Sequence, residues 1–521
     1  MFRNYFLAII WIILSVSIFF LHGQIISRPL IGHHDLANGL VLTVASIWDK
    51  EGFFTYNLAP VYSYTSDIPL KEGFGIRGRD GRMYYVSFPP GVYVIFYVLA
   101  KLFFLGIKDT SLRILSLAFF IIDCFLLYRY LSSRYGVFSA LVGIGAFSFF
   151  PTSAYFLGSH FMYESVILPF WFFSFLCFRK LIFSPYNQKY YLCFFILIFI
   201  LSFCGFFGLF LTAAIFIMVF FFGRRFSWNI KYRILFLFNL TICGFAPFII
   251  TYFLYLGKID QDVLNNQLFH RFLYRTNMDL FYKNSPSFLD TFYKFYEKLS
   301  FHAKISFGDY FPAIFFLAFL ILVLAIPFKI KLFRKNEIMP YLFFFLVAPF
   351  LHYIILSNHL YEHDFAYLFI LFFVTFLFVW SFKTLEEIIR KYWKKAWFSL
   401  LTAALIYIFI IPATSTGGYR RYFDEWIYDT PDYPIMLTNM RKNSNEHDLI
   451  ITNYDSNAMM WYYLQRNVLG KMFGDEVINY KNTYPNIKNI YYMTDTKINA
   501  QISCGEREIV NKDLLYICKL N

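Results

Sequence analysis

Charge is scarce in this 521-residue sequence: 15% of its residues are Asp, Glu, Lys or Arg, against roughly 25% in ordinary soluble domains. So little charge argues against a water-exposed globular chain, and intrinsic disorder, which needs polar, highly charged sequence, is excluded with it. Cysteine is sparse too. Of the seven, Cys124, Cys177, Cys193, Cys204 and Cys243 fall in apolar runs and read as small buried hydrophobes. Cys504 and Cys518 lie in a polar tail. No CxxC pair and no Cys/His cluster at zinc spacing occurs, which argues against a structural zinc site and a disulfide scaffold. A collagen-like fibre is excluded by composition, and no internal repeat or low-complexity tract is visible. The tail has no P-loop, no GxGxxG after a strand, no GxSxG and no HExxH.

What the sequence has is apolar and aromatic: 59% hydrophobic residues, 24% aromatics, 72 Phe and 42 Tyr. Apolar runs recur near 5–21, 90–107, 110–128, 137–156, 164–178, 190–206, 207–223, 234–256, 311–328, 338–357, 366–382 and 397–413. Their lengths suit membrane helices, so the expected fold class is an α-helical polytopic membrane protein with about 11–12 transmembrane helices. The first run follows Arg3 without a small-residue cleavage site and reads as a retained signal anchor.

The net charge of +14 does not point to nucleic acid, because much of the excess sits in short loops between apolar runs. These loops carry Arg129 and Arg134; Arg179, Lys180 and Lys189; Arg224, Arg225, Lys231 and Arg233; Lys329, Lys331, Arg334 and Lys335; and Lys383 through Lys395. The positive-inside rule puts all of them in the cytosol with the N-terminus. Parity then fails only over 90–128, and is restored if 90–107, which opens on Pro89-Pro90, lies in-plane or re-entrant on the outer face. The first loop (about 23–89), the loop at about 258–310 and the tail all face outward, where irregular backbone and chemistry belong. The expected division is a membrane module over 1–413 and an extracytoplasmic domain over 414–521. That tail reads as a small α/β domain: a strand at Asp448–Asn453, a helix over 456–465, and strands at Asn489–Met493 and Leu514–Cys518. Cys504 and Cys518 flank the last hairpin and are candidates for a bridge in an oxidising compartment.

Ionisable residues gather at the outer ends. The first loop begins Gly32-His33-His34-Asp35-Leu36-Ala37-Asn38-Gly39. A carboxylate at the mouth of a membrane bundle can accept a proton from an attacking hydroxyl; Asp35 also reads as a solvated loop acid or as an N-cap for the helix that follows. His34 beside it is a substrate-binding candidate. A second acid opens a later span in Ser159-His160-Phe161-Met162-Tyr163-Glu164, where the spacing of four puts His160 and Glu164 on one helix face. A divalent metal between Asp35, His160 and Glu164 is compatible with the pattern, though no spacing demands one. Arg271 and Arg275 in the 258–310 loop suit phosphate recognition, or an interfacial helix among headgroups. His359 and His363, with Glu362 and Asp364, form a polar turn before the run at 366. Asp123 is an acid inside a span, where helix packing or a partner hydroxyl accounts for it.

In this order the features resemble the membrane-embedded GT-C glycosyltransferases, in the branch of the dolichyl-phosphate-mannose protein mannosyltransferases and the bacterial aminoarabinose transferases. The resemblance rests on Asp35 after the first span, Pro89-Pro90 closing the first loop, Glu164 opening a later span, the turn from Asn358 to Asp364, and an outer domain with Ile450-Ile-Thr-Asn and Tyr462-Tyr-Leu-Gln-Arg-Asn-Val. It covers essentially the whole chain. Two positions depart from the family: Leu36 where Glu usually follows the acid, and Phe88 where His usually precedes the proline pair. The resemblance implies transfer of a sugar from a polyprenyl-phosphate donor to a glycan, lipid or protein acceptor, with inversion, on the periplasmic face of a bacterial inner membrane. It implies Asp35 as base and Glu164 with His160 as acceptor- or metal-positioning groups. It further implies a basic group of the 258–310 loop at the phosphate. An O-antigen polymerase or ligase, or a transporter, remains the alternative reading. Partners are the lipid-linked donor, the acceptor and membrane lipids, with no nucleic acid.

Overall fold

The structure, a computed structural model, describes residues 26, 28–30, 32, 34–66, 75–226, 228–276, 297, 300–308, 311–324, 332, 337–358, 363–392, 433–452, 458–470, 487, 489–494, 504–511 and 515–520. The apolar runs at 5–21 and 397–413, and the expected boundary at 413/414, lie outside them. In chain order the elements begin with α1 (Asp35–Glu51), the short hairpin β1 (Ile76–Arg77) and β2 (Met83–Tyr84), and α2 (Gly91–Leu102). The helices α3 (Asp109–Tyr135), α4 (Val137–Phe149), α5 (Tyr163–Phe183), α6 (Gln188–Cys204), α7 (Phe207–Phe222) and α8 (Ile230–Leu256) follow. Next come α9 (Gln261–Arg275), α10 (Phe311–Leu324), α11 (Ile338–Ile355, with a π turn at Phe343–Val347) and α12 (Leu371–Tyr392), entered through a 3-10 turn at Asp364–Ile370. The tail holds α13 (Tyr433–Lys442), β3 (Leu449–Thr452), α14 (Ala458–Leu464), β4 (Asn467–Leu469), β5 (Ile490–Thr494), β6 (Cys504–Asn511) and β7 (Leu515–Leu520).

Among the described residues, six helical stretches are long and apolar enough to cross a membrane: Asp109–Tyr135, Tyr163–Phe183, Phe207–Phe226, Ile230–Leu256, Ile338–Ile355 and Asp364–Ile389. The 12 residues of α2 rise only about 18 Å, well short of a hydrocarbon core of roughly 30 Å. That length suits an in-plane or re-entrant segment and not a crossing.

The chain divides into two compact units. The first comprises Met1–Ser27, Arg113–Ile249 and His270–Glu425 and is a helical bundle. Lipid offers no hydrophobic drive between helices, so packing has to hold such a bundle together. Aromatic rings supply it: Trp171 on α5 packs edge-on against Phe207 at 4.5 Å and Phe372 at 5.2 Å, and Phe345 meets Phe175 at 4.8 Å. Each such pair adds about 0.5–1.5 kcal/mol beyond its buried area. The opposite surface of α8 leaves Ile234, Phe238, Phe245 and Ile249 exposed, as a lipid-facing side requires. At one end of the bundle the Glu337 carboxylate is clamped between Arg134 at 2.5 Å and Arg179 at 2.9 Å. Nearby, Trp380 donates to the Tyr135 hydroxyl at 2.9 Å. The C-terminal ends of α3 and α5 therefore meet the N-terminal end of α11 at one end of the bundle.

The second unit comprises Arg28–Leu112, Ile250–Phe269 and Trp426–Asn521. Its sheet runs β4-β3-β5-β7-β6, with β3 parallel to β4 and β5, and with β7 antiparallel to β5 and β6. This is the α/β tail expected from the sequence. The register sets Cys504 opposite Leu520 and Cys518 opposite Arg507, so the two cysteines are not direct cross-strand partners. The sheet's crossover helix α14 lies along α1 of the first loop. Tyr62 stacks on Trp461 at 4.6 Å, and the Asn467 amide donates to Thr65 Oγ1 at 2.8 Å while accepting from the Tyr64 N–H at 2.9 Å. Sequence-distant pieces thus make one folded body.

Candidate active site

In the second unit, Asp35 begins α1 and is fully buried. Its Oδ2 accepts the Gly32 N–H at 2.8 Å and its Oδ1 accepts from Asn38 Nδ2 at 2.9 Å. The Asp35 N–H returns a bond to the Gly32 carbonyl at 3.1 Å, closing the turn from both sides. Arg28 stands 3.7 Å from Oδ2. Such a set favours the charged carboxylate, and the first turn of a helix does the same. His34, just before the helix, is left-handed at φ 57°, a conformation that costs about 1–3 kcal/mol and persists only where the surroundings impose it. Beyond the turn, the Tyr463 hydroxyl accepts the Leu30 N–H at 2.9 Å and donates to Asp109 Oδ2 at 3.3 Å. Burial pushes that hydroxyl well above the usual tyrosine range, and the charges of Asp109 and Asp35 push the same way. Tyr463 therefore stays a neutral donor. Arg28, Asn38 and Tyr463 were not singled out from the sequence. Asn38, three residues after Asp35 on a helix, was the legible one of the three.

In the bundle unit, α4 stops before Pro151, which lacks an N–H to continue it. A π turn at Ser153–Leu157 follows, and then the chain turns into α5. Such π segments recur at functional sites. His160 lies in this turn, before α5 begins at Tyr163. The expectation that His160 and Glu164 share one helix face is thus corrected: the extended Met162 breaks the helix between them. Ser165 makes the junction instead, its Oγ donating to the His160 carbonyl at 2.6 Å while the Met162 N–H reaches Oγ at 3.3 Å. Both His160 and Glu164 are buried. The Ser159 hydroxyl donates to the Tyr155 carbonyl and lies 2.7 Å from His160 Nδ1. With the serine proton on the Tyr155 carbonyl, His160 Nδ1 carries a proton and donates to the Ser159 oxygen. Arg113, fully buried, donates to the Ser159 carbonyl at 3.3 Å. Glu164 sits in the first turn of α5, where the helix dipole favours its charge.

Two further predicted residues belong to this unit's site region. Arg275 lies over the Phe206 ring at 5.1 Å. The Phe207 N–H donates to the Tyr163 hydroxyl, so Arg275 stands beside the head of α5. A side chain at Gly205 would collide with the Tyr163 ring, which explains a glycine at that joint. His363 stacks on Phe365 at 4.7 Å, Phe365 meets Phe156 at 5.8 Å, and Phe156 meets His160 at 5.0 Å. An aromatic chain thus links His363 to His160. Arg271 is half-buried one turn before Arg275 on α9. His359 and Glu362 lie outside the described residues. Among the described residues no three His, Cys, Asp or Glu side chains group as a metal site. Asp123 is buried on α3, and neither carboxylate oxygen has a hydrogen-bond partner among the described residues, so of the two expected accounts helix packing stands there and the partner hydroxyl does not.

No protein-family model matches the sequence and no curated protein matches it significantly. Solved structures do match the fold. ArnT from Cupriavidus metallidurans in the apo state aligns over 100% of this chain and 98% of its own, with a TM-score of 0.59 at 10% identity. The same protein bound to undecaprenyl phosphate aligns over 99% and 98%, with a TM-score of 0.57 at 11% identity. The oligosaccharyltransferase of Archaeoglobus fulgidus in the apo form aligns over 95% of this chain and 70% of its own, with a TM-score of 0.53 at 13% identity. The chain therefore has the fold of these multi-pass membrane proteins and aligns with ArnT over its full length.

Proposed function

We propose that this protein transfers a glycosyl group from a polyprenyl-phosphate carrier to an acceptor hydroxyl of a glycan, lipid or protein, at the periplasmic face of a bacterial inner membrane. The observation that carries the proposal is Asp35, a fully buried carboxylate held ready by Gly32, Asn38 and Arg28. It occurs in a chain whose fold matches a protein solved with undecaprenyl phosphate along its whole length. In the reaction, the acceptor O–H gives its proton to Asp35 and its oxygen bonds to the anomeric carbon. The bond from that carbon to the phosphate oxygen breaks, and its electron pair leaves with polyprenyl phosphate. A single displacement of this kind inverts the anomeric centre. Arg275 and Arg271 are the groups that we assign to the phosphate, where negative charge grows as the bond breaks. His160 and Glu164 are assigned to hydroxyls of the sugar or acceptor; His34, His359 and His363 remain substrate-binding candidates. A divalent ion is not needed for this scheme.

The test is purified protein in proteoliposomes with a labelled polyprenyl-phosphate sugar. Release of polyprenyl phosphate with label moving to an acceptor supports the reading. Vesicle uptake of label without bond cleavage would establish transport instead. Orientation is checked separately, by labelling an Asn266→Cys variant with an impermeant reagent. Label from the periplasmic side is expected; label only after permeabilisation reverses the assigned face.

A further inference from the structure

We propose that Tyr463, supplied by the crossover helix of the C-terminal sheet, is a positioning residue for Asp35, its hydroxyl holding the Leu30–Asp35 turn in the shape that aims the carboxylate. The inference rests on the general-base reading of Asp35 given above. Three observations within the second unit carry it. Leu30 is fully buried, and a buried backbone N–H needs a partner; among the described residues that partner is the Tyr463 hydroxyl at 2.9 Å. That hydroxyl has only one proton to give, and Asp109 Oδ2 receives it at 3.3 Å, which fixes the oxygen's lone pair toward Leu30. Next to Asp35, His34 is in its strained left-handed conformation, and Gly32 and Asp35 are stitched by two hydrogen bonds.

The tyrosine is itself fixed. α14 packs along α1, with Trp461 stacked on Tyr62 two residues before Tyr463 and Asn467 bonded to Thr65 and Tyr64 after it. Tyr463 thus passes the rigidity of the sheet to a turn about 430 residues away in sequence. The C-terminal domain becomes part of the catalytic apparatus in this account, although none of its residues has to meet the substrate.

Tyr463→Phe removes one oxygen and keeps the ring. Loss of aim at a reacting group costs up to roughly 10²-fold, so kcat is expected to fall about ten- to a hundred-fold. Donor KM should stay near wild type, and the melting temperature should fall by a few degrees at most, since the Leu30 N–H loses its partner. Hydrogen exchange at the Leu30 and Gly32 amides should quicken. In an Asp35→Asn background the same substitution should cost nothing further, since it acts through Asp35. Wild-type kcat in Y463F, or a full additional loss in the D35N background, would overturn the proposal. If D35N is itself as active as wild type, the general-base reading fails, and exchange at Leu30 still decides the tether: unchanged protection in Y463F refutes it. Should Y463F fail to fold, Asp109→Ala frees the hydroxyl's proton. It is expected to quicken exchange at Leu30, and unchanged exchange there overturns the proposal.

Discussion

Replacing Asp35 by Asn separates charge from shape. The amide can still accept the Gly32 N–H through Oδ1, and Asn38 can turn its own amide to present an oxygen to the new Nδ2. Two things are lost: basicity, and the counter-charge 3.7 Å from Arg28. General-base assistance is worth roughly 10²–10⁴-fold, or about 3–5 kcal/mol of transition-state stabilisation. The Arg28 term acts on folding instead. Breaking a buried pair costs about 3–5 kcal/mol when the remaining charge has nowhere to go. Arg28 keeps some access to solvent, so the lower end, about 3 kcal/mol, is expected. The assay is initial-rate release of polyprenyl phosphate over a donor series, beside thermal unfolding in the same detergent. The expected outcome is a kcat loss of about two to four decades with donor KM near wild type, and a melting temperature lowered by several degrees. Turnover within a few-fold of wild type would refute the role. A loss that simply tracks the fraction unfolded would return Asp35 to helix capping.

Glu164→Gln should raise acceptor KM or lower kcat with donor binding unchanged, and EDTA should have no effect; full activity of Glu164→Ala in EDTA would remove Glu164 from the site. Glu337→Gln leaves Arg134 and Arg179 facing each other without their shared counter-ion, so the bundle should lose about 3–5 kcal/mol; an unchanged melting temperature would show that the clamp contributes nothing. The Lys50 ammonium bonded to Glu446 holds that carboxyl below its usual range. A depressed folded pKa gives stability that is present above the unfolded value, near 4.5, and is lost as pH falls through the folded one. The stability gap between wild type and Glu446→Gln should therefore close as pH falls below the unfolded value and be small throughout, since the pair is exposed; a gap that widens on acidification contradicts the pairing.

The bundle was legible because its signals are local. Apolar runs separated by basic loops marked out the helices, and the ends of α3, α5 and α11 that carry Arg134, Arg179 and Glu337 do meet. The strands of the tail were legible for the same reason: Leu449–Thr452 and Ile490–Thr494 are short apolar runs bounded by polar turns. What alternation could not give was the pairing across the chain. Nothing in the pattern of residues 458–464 says that their helix lies on α1, because that contact depends on the shape of two faces far apart in sequence. The compact unit that joins the first loop to the tail is a tertiary fact.

The same limit decides how much of the site could be read. Asp35 and Glu164 stood out because an acid at the end of an apolar run is rare and costly. Their supports did not, because serine, tyrosine and arginine carry no such signal alone. Spacing of four made His160 and Glu164 look like helix neighbours, yet Met162 is extended and Ser165 turns the chain there. A spacing argument presumes an unbroken helix, and Pro151 with the π turn after it disturbs the regular winding just upstream. Read the other way, the break is what lets a buried imidazole be set by Ser159 and Arg113 from one side and a helix dipole favour Glu164 from the other. Residues on a continuous face would share one environment. Here each has its own, and two groups with different environments can be given different proton affinities and different tasks.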